Sequence, residues 1–199
     1  MLDKLLSIKG NLIVLSGPSG SGKDTVLDAL YNAPCKLDKW ARCVTATTRS
    51  PRAAEVDGVD YHFLSREQFE ERIKQNYFLE YARYSMDYYG TPAENAEQMR
   101  FSGIDVVLKI EVQGALAVKA RVPEAILVFL APPNEQELER RLRNRSTDSE
   151  NEVNIRLITA KNELMLADRY DYIIHNHTVD KAAQDLRAII MAERLRIKR

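Results

Sequence analysis

The segment Gly17-Pro18-Ser19-Gly20-Ser21-Gly22-Lys23-Asp24-Thr25 constrains this chain more than any other. It follows the apolar run Leu12-Ile13-Val14-Leu15 and precedes the amphipathic run Val26-Leu27-Asp28-Ala29-Leu30. That order is strand, glycine-rich loop, helix start. Such a loop wraps backbone N–H groups around phosphate oxygens, and the helix N-terminus adds the positive end of a dipole. Lys23 is placed to reach the β- and γ-phosphates. An ordinary glycine turn accounts for the loop but not for a lysine in the first helical turn. The spacing therefore predicts a nucleotide site of the phosphate-loop kind. One position departs from the pattern. Ser or Thr usually follows the lysine as a Mg²⁺ ligand, but here Asp24 does, and Thr25 comes one residue late.

Length and composition set the frame for that loop. The 199 residues suffice for one compact domain with a real core and small mobile subdomains. Lys and Arg total 29, as do Asp and Glu, so no net charge draws the chain toward nucleic acid or a membrane surface. No apolar run approaches membrane-spanning length. The opening Met1–Lys9 segment is too short and polar for a signal peptide. Cys35 and Cys43 lack metal-ligand spacing and read as reduced thiols of a cytoplasmic protein. The histidine pair His175 and His177 has no third ligand in reach by sequence, so it reads as surface.

Strand and helix patterns alternate along the chain. Strands are expected at Leu12–Ser16, Trp40–Ala46, Phe78–Tyr84, Ile104–Ile110, Ala125–Ala131 and Tyr172–Ile174. Helices are expected at Lys23–Tyr31, Ser65–Lys74, Pro92–Phe101, Gln113–Arg121, Asn134–Arg143, Glu152–Ala167 and Val179–Arg194. Ser65 and Asn134 are cap residues. Strands followed by helices imply an α/β fold, a mostly parallel sheet with helices on both faces. The segment 45–91, rich in Tyr, Thr and Arg, reads as a small inserted subdomain. The core is then 1–44, 92–143 and 152–199. The polar piece 144–151 lies between arginine-bearing helices, and reads equally as a lid over phosphates or as a solvated surface loop.

The inserted segment carries a second set of candidate groups. Arg49 and Arg52 are suited to bidentate phosphate recognition, and Glu55 can orient one of them. Tyr61 and Tyr89 offer hydroxyl donors or ring faces. Each has a plainer reading: solvated charge for the arginines, strand packing for the tyrosines.

These residues together resemble the guanylate kinases. The similarity is carried by Thr45-Ala46-Thr47-Thr48-Arg49-Ser50-Pro51-Arg52, Glu55–Tyr61, Tyr88-Tyr89-Gly90-Thr91, Val112-Gln113-Gly114-Ala115 and Arg140–Arg145, and it spans nearly the whole chain. It implies a P-loop NTPase sheet with an inserted GMP-binding subdomain and a mobile lid. Arg49, Arg52, Tyr61 and Tyr89 match positions that bind the GMP phosphate. Glu80 matches the carboxylate that reads guanine. A carboxylate accepts from both N1–H and the exocyclic amine of guanine, whereas adenine would leave it unpaired. Thr45 and Thr91 match hydroxyls that complete the base site. Glu111 matches a second acidic guanine contact, where Asp is more usual. Arg141, Arg145 and Arg156 match lid-side arginines on the ATP phosphates, and Asn176 a position near the adenine.

The resemblance implies MgATP + GMP → ADP + GDP, with dGMP as a further acceptor and no nucleic acid, membrane or obligate protein partner. Lys23 and the loop N–H groups would hold the donor. Arg49 would bridge acceptor and transferred group, and Arg145 and Arg156 would close over developing charge. Two alternatives stand beside it: a kinase for another phosphorylated small molecule such as a ribose phosphate, and a non-catalytic binding module of the same fold. Lys109 stands where the family usually carries an acid. With Asp24 it is expected to form a charge-swapped pair that keeps the metal site active, either carboxylate or Thr25 hydroxyl serving Mg²⁺.

Overall fold

The computed structural model describes residues 9–33, 37–84, 86–143 and 150–197. Arg145, Cys35 and all but two residues of the expected lid lie outside the described residues. The chain divides into two compact units. One comprises Met1–Leu12, Lys39–Leu108 and Gln113–Ala125; the other comprises Ile13–Asp38, Lys109–Val112 and Ile126–Arg199.

The second unit is built on β1 (Leu12–Ser16), β8 (Ile126–Ala131) and β9 (Tyr172–His175). They run parallel, with Ile13 opposite Ile126 and Val128 opposite Tyr172. Every residue of β1 and β8 is buried. This is what continuous apolar runs produce in a parallel sheet covered by helices. Helix α1 (Lys23–Tyr31) follows β1 and packs on α7 (Val179–Leu195). Helices α5 (Glu135–Arg143) and α6 (Glu150–Leu164) meet through Leu138, Leu142 and Ala160. The Asn134 side chain caps α5 by accepting from Glu137 N–H at 2.8 Å, as its position predicts. The helix expected to reach Ala167 ends at Leu164. There Met165 N–H still bonds Lys161 C=O, but Leu166 N–H bonds Glu163 C=O, tightening the chain toward a short 3₁₀ turn at Ala167–Arg169.

The first unit holds β2 (Trp40–Arg42) parallel to β7 (Asp105–Lys109), and a four-stranded sheet. That sheet has the order β4 (Tyr61–Phe63), β3 (Thr45–Thr47), β6 (Asp87–Pro92), β5 (Phe78–Tyr84). One strand expected at Trp40–Ala46 is therefore two. Cys43 N–H still bonds Val107 C=O, and then the chain leaves β7 to pair with β4 and β6. Strand propensity runs through the junction, whereas the change of partner is a tertiary event. Helix α2 (Arg66–Lys74) begins with a reciprocal capping box between Ser65 and Gln68. Its Phe69 stacks on Phe78 with ring centroids 4.3 Å apart, over Ala46. Helices α3 (Ala93–Phe101) and α4 (Val112–Arg121) complete the elements.

Further backbone bonds lie beside β1 and β7 within each unit. Val106 N–H bonds Asn11 C=O in the first, and Ile110 N–H bonds Leu15 C=O in the second. Among the described residues, no helix is long and apolar enough to cross a membrane.

Candidate active site

In the second unit the loop after β1 is shaped by positive φ. Gly17 has φ 143°, and a Cβ there would lie 2.3 Å from Leu130 C=O. Gly22 begins α1 with φ 94° and no side-chain cap. A Cβ on Gly22 would meet Asn176 Nδ2 at 2.5 Å. Both positions therefore require glycine. The uncapped N–H groups of α1 remain as donors for an anion.

Lys23 folds back over this loop. Its Nζ donates to Gly17 C=O at 2.6 Å and to Pro18 C=O at 3.1 Å. Burial lowers its pKa, against the opposing pull of Glu163, Glu111 and Asp24. Ser21 C=O accepts from Asn176 Nδ2 at 2.7 Å and from Arg141 at 3.4 Å. Glu137 orients Arg141 through a 2.8 Å bond to Nε. Asn176 is buried, and its Oδ1 has no partner among the described residues. Asn176 and Arg141 thus support the loop at Ser21. Arg156 is half-buried on α6.

Asp24 sits in the first turn of α1, and Lys109 Nζ donates to its carboxylate. The ion pair expected from their two departures is present. Thr25 is exposed beside Asp24. The carboxylate and hydroxyl are hard oxygen donors of the kind Mg²⁺ uses. Among the described residues no group of three or more His, Cys, Asp or Glu could hold a metal by itself. The pattern fits an ion carried in by a polyphosphate and touched by one or two protein oxygens. His175 and His177, with ring centroids 6.2 Å apart, belong to no such group.

Glu163, on α6, is a functional candidate that sequence reasoning missed. Its carboxyl is pushed up to about 7, first by burial and then by Glu111; Lys23 and the Ser19 N–H act in the opposite direction. Glu111, expected among the guanine contacts, is thereby an electrostatic neighbour of Lys23 and Glu163. An acid near the end of a polar helix gives no local signal of this relation.

In the first unit a separate cluster forms around β3, β4 and β6. Arg49 NH2 grips both oxygens of Glu55 at 2.7 and 2.9 Å, and Arg52 N–H adds a 2.8 Å bond. Glu55 is held below the usual carboxylate range, chiefly by Arg49. The Arg49 guanidinium lies 5.5 Å from the Tyr61 ring centroid, and Tyr61 and Tyr89 meet edge to face at 6.1 Å. Glu80 and Thr91 are opposite each other on β5 and β6, both buried, with Thr91 Oγ1 donating to Glu80 Oε1 at 2.8 Å. Thr45 pairs with Tyr61 across β3 and β4. Thr45, Tyr61, Glu80, Tyr89 and Thr91 therefore share one small sheet, and Arg49 and Arg52 lie in the loop after β3. The arrangement offers guanidinium and phenol donors for an anion and a buried carboxylate for paired N–H donors.

A phosphate loop between the first strand and helix of a parallel α/β sheet, with an arginine- and acid-bearing insert, defines a P-loop kinase of small phosphorylated molecules. The guanylate kinase sequence model matches residues 9–193. Guanylate kinase of Listeria innocua is 47% identical over 96% of this chain and 92% of its own length. That of Bacillus subtilis is 45% identical over 96% and 93%. The crystal structure of guanylate kinase from Anaplasma phagocytophilum superposes with a TM-score of 0.74 at 28% identity, covering 95% of this chain and 88% of that one. The chain belongs to the guanylate kinase family. It is by that membership a phosphotransferase, and the resemblance read from its motifs holds. Neither the ribose-phosphate reading nor the non-catalytic module is favoured.

Proposed function

We propose that this chain transfers the γ-phosphoryl group of ATP to GMP, and to dGMP, giving ADP and GDP or dGDP. The observation that carries the acceptor assignment is the buried Glu80–Thr91 pair on the same sheet as Tyr61 and Tyr89, with Arg49 in the bend just after β3. Glu80 accepts from guanine N1–H and the 2-amino group, while Thr91 and Thr45 complete the base site. Adenine has an acceptor at N1 and no 2-amino group, so it leaves Glu80 unpaired; such a site discriminates by roughly 10⁴-fold. Arg49 and Arg52, with Tyr61 and Tyr89, hold the acceptor phosphate. Glu55 fixes the fork of Arg49 before substrate arrives.

On the donor side the amides of Gly17–Thr25 and the Lys23 ammonium hold the β- and γ-phosphates. Lys23 exchanges its two carbonyl partners for phosphate oxygens. Asn176 Oδ1 accepts from the adenine amine, which supplies the partner it lacks among the described residues. Arg141, Arg145 and Arg156 meet charge on the equatorial oxygens. An oxygen of the GMP phosphate attacks the γ-phosphorus in line as the bond to the ADP oxygen breaks, with charge conserved and no covalent enzyme intermediate. Mg²⁺, which accompanies ATP and screens its phosphates, would be held by Asp24 and Thr25. Segment 45–91 serves as the acceptor subdomain and 144–151 as the lid. We place the activity in the cytoplasm, with no nucleic-acid, membrane or obligate protein partner.

A coupled ADP-release assay across GMP, dGMP, AMP, UMP and ribose phosphates tests this reading. The expected result is turnover with GMP and dGMP alone. Turnover of a sugar phosphate without turnover of GMP would sink the base-site assignment.

A further inference from the structure

Among the described residues, the donor side of this chain places three acids and two lysines inside one unit. Asp24, Glu111 and Glu163 are acids; Lys23 and Lys109 are the cations. Lys109 is the last residue of β7, its side chain mostly buried at 18% exposure, whereas the Asp24 side chain is 70% exposed. The ammonium donates to Asp24 Oδ1. Asp24 follows Lys23 directly, at the end of α1 whose amides serve the phosphates. A bare carboxylate there would offset the positive field of the helix terminus and compete with phosphate for Lys23. Without Lys109, the Asp24 carboxylate would lose this ion pair at a site that must accept a polyanion.

We propose that Lys109 is a positioning residue of the donor site, acting through Asp24: its ammonium fixes and neutralises the carboxylate beside Lys23, so that a phosphate loop carrying an acid in place of a hydroxyl still binds nucleotide. This rests on reading the loop as the donor site. It goes beyond service to a metal, because the compensation comes from the protein itself and operates when no divalent ion is present. Lys109 need not touch the nucleotide.

The test is titration of the full chain with the fluorescent analogue mant-ATP in EDTA, so that no metal substitutes for the lysine. Lys109→Met is expected to weaken binding about fivefold at low ionic strength, and less at high salt as screening removes the repulsion. Adding Asp24→Asn to Lys109→Met is expected to restore affinity to within about twofold of wild type, since the offending charge is gone. A lysine needed only for packing would leave the double variant as weak as the single one, and that result overturns the proposal. So does wild-type affinity in Lys109→Met. Absence of mant-ATP binding by the wild-type chain overturns the donor-site reading and this proposal with it, whereas binding that ignores Lys109 overturns this proposal alone.

Discussion

Thr91 Oγ1 donates to Glu80 Oε1 across neighbouring strands, a 2.8 Å bond between two buried side chains. A donor supplied by the protein fixes one carboxylate oxygen and leaves the group oriented as an acceptor. Glu80→Gln keeps the shape but sets an NH₂ where an acceptor is needed. Its kcat/KM for GMP is expected to fall by about 10³-fold, with no gain of comparable size for AMP. Thr91→Val, which removes only the orienting donor, is expected to cost about tenfold. Steady-state kinetics with both nucleotides check this; a Glu80→Gln enzyme as selective as wild type would remove Glu80 from base recognition.

Lys23 is desolvated and held by two loop carbonyls, so its stabilising contribution to the free protein is small and its charge is available to a ligand. Lys23→Met is expected to lower kcat/KM for ATP by at least about 10²-fold. The melting temperature should stay close to that of wild type, because the buried ammonium is replaced by an apolar chain of similar reach. Thermal melts alongside kinetics separate the two effects. A large drop in melting temperature with unchanged turnover would contradict the assignment.

The Glu163 carboxyl, raised to about 7 by burial and by Glu111, makes stability pH-dependent. The folded state binds its proton more tightly than the unfolded chain does. The associated stability is therefore complete below the unfolded value near 4.5 and is lost as pH rises through about 7. Since Glu163 is partly exposed, the effect is discounted to about 1 kcal/mol. Glu163→Gln should flatten the rise in unfolding free energy between pH 8 and pH 5.5. Chemical denaturation at the two pH values measures it, and an equal slope in both proteins would place the titration elsewhere.

What the sequence made legible was local. The phosphate loop, the Ser65 and Asn134 caps and the buried strands β1 and β8 depend on spacing within a few residues. Glu163 escaped because its meaning lies in Lys23 and Glu111, far away in the chain. The division of Trp40–Ala46 into two strands escaped because propensity does not record a change of pairing partner. Asp24 and Lys109 were legible as two departures of opposite charge, which is why a pair was expected, and the ion pair is present. Arg100, near the end of a short helix, carries no local signal of its burial, yet it is 2% exposed.

Arg100 is buried because every direction of its fork meets an acceptor. Nε donates to Gly10 C=O at 3.1 Å, NH2 to Glu124 at 3.1 Å, and NH1 to Glu97, which Lys9 also reaches at 2.6 Å. These bonds tie the segment before β1 to α3 and to the residue before Ala125, all within the first unit. Removing the guanidinium orphans the Gly10 carbonyl and leaves Glu97 with Lys9 alone. Arg100→Met is expected to destabilise the chain by about 3–5 kcal/mol, and Arg100→Lys by nearly as much, since an ammonium cannot match three separated acceptors. Glu124→Gln should cost under about 1 kcal/mol, because that side chain is 58% exposed. Urea unfolding midpoints rank the three variants; a Glu124→Gln loss as large as that of Arg100→Met would mean that the pair with Glu124, rather than the carbonyl and Glu97, holds the guanidinium in place.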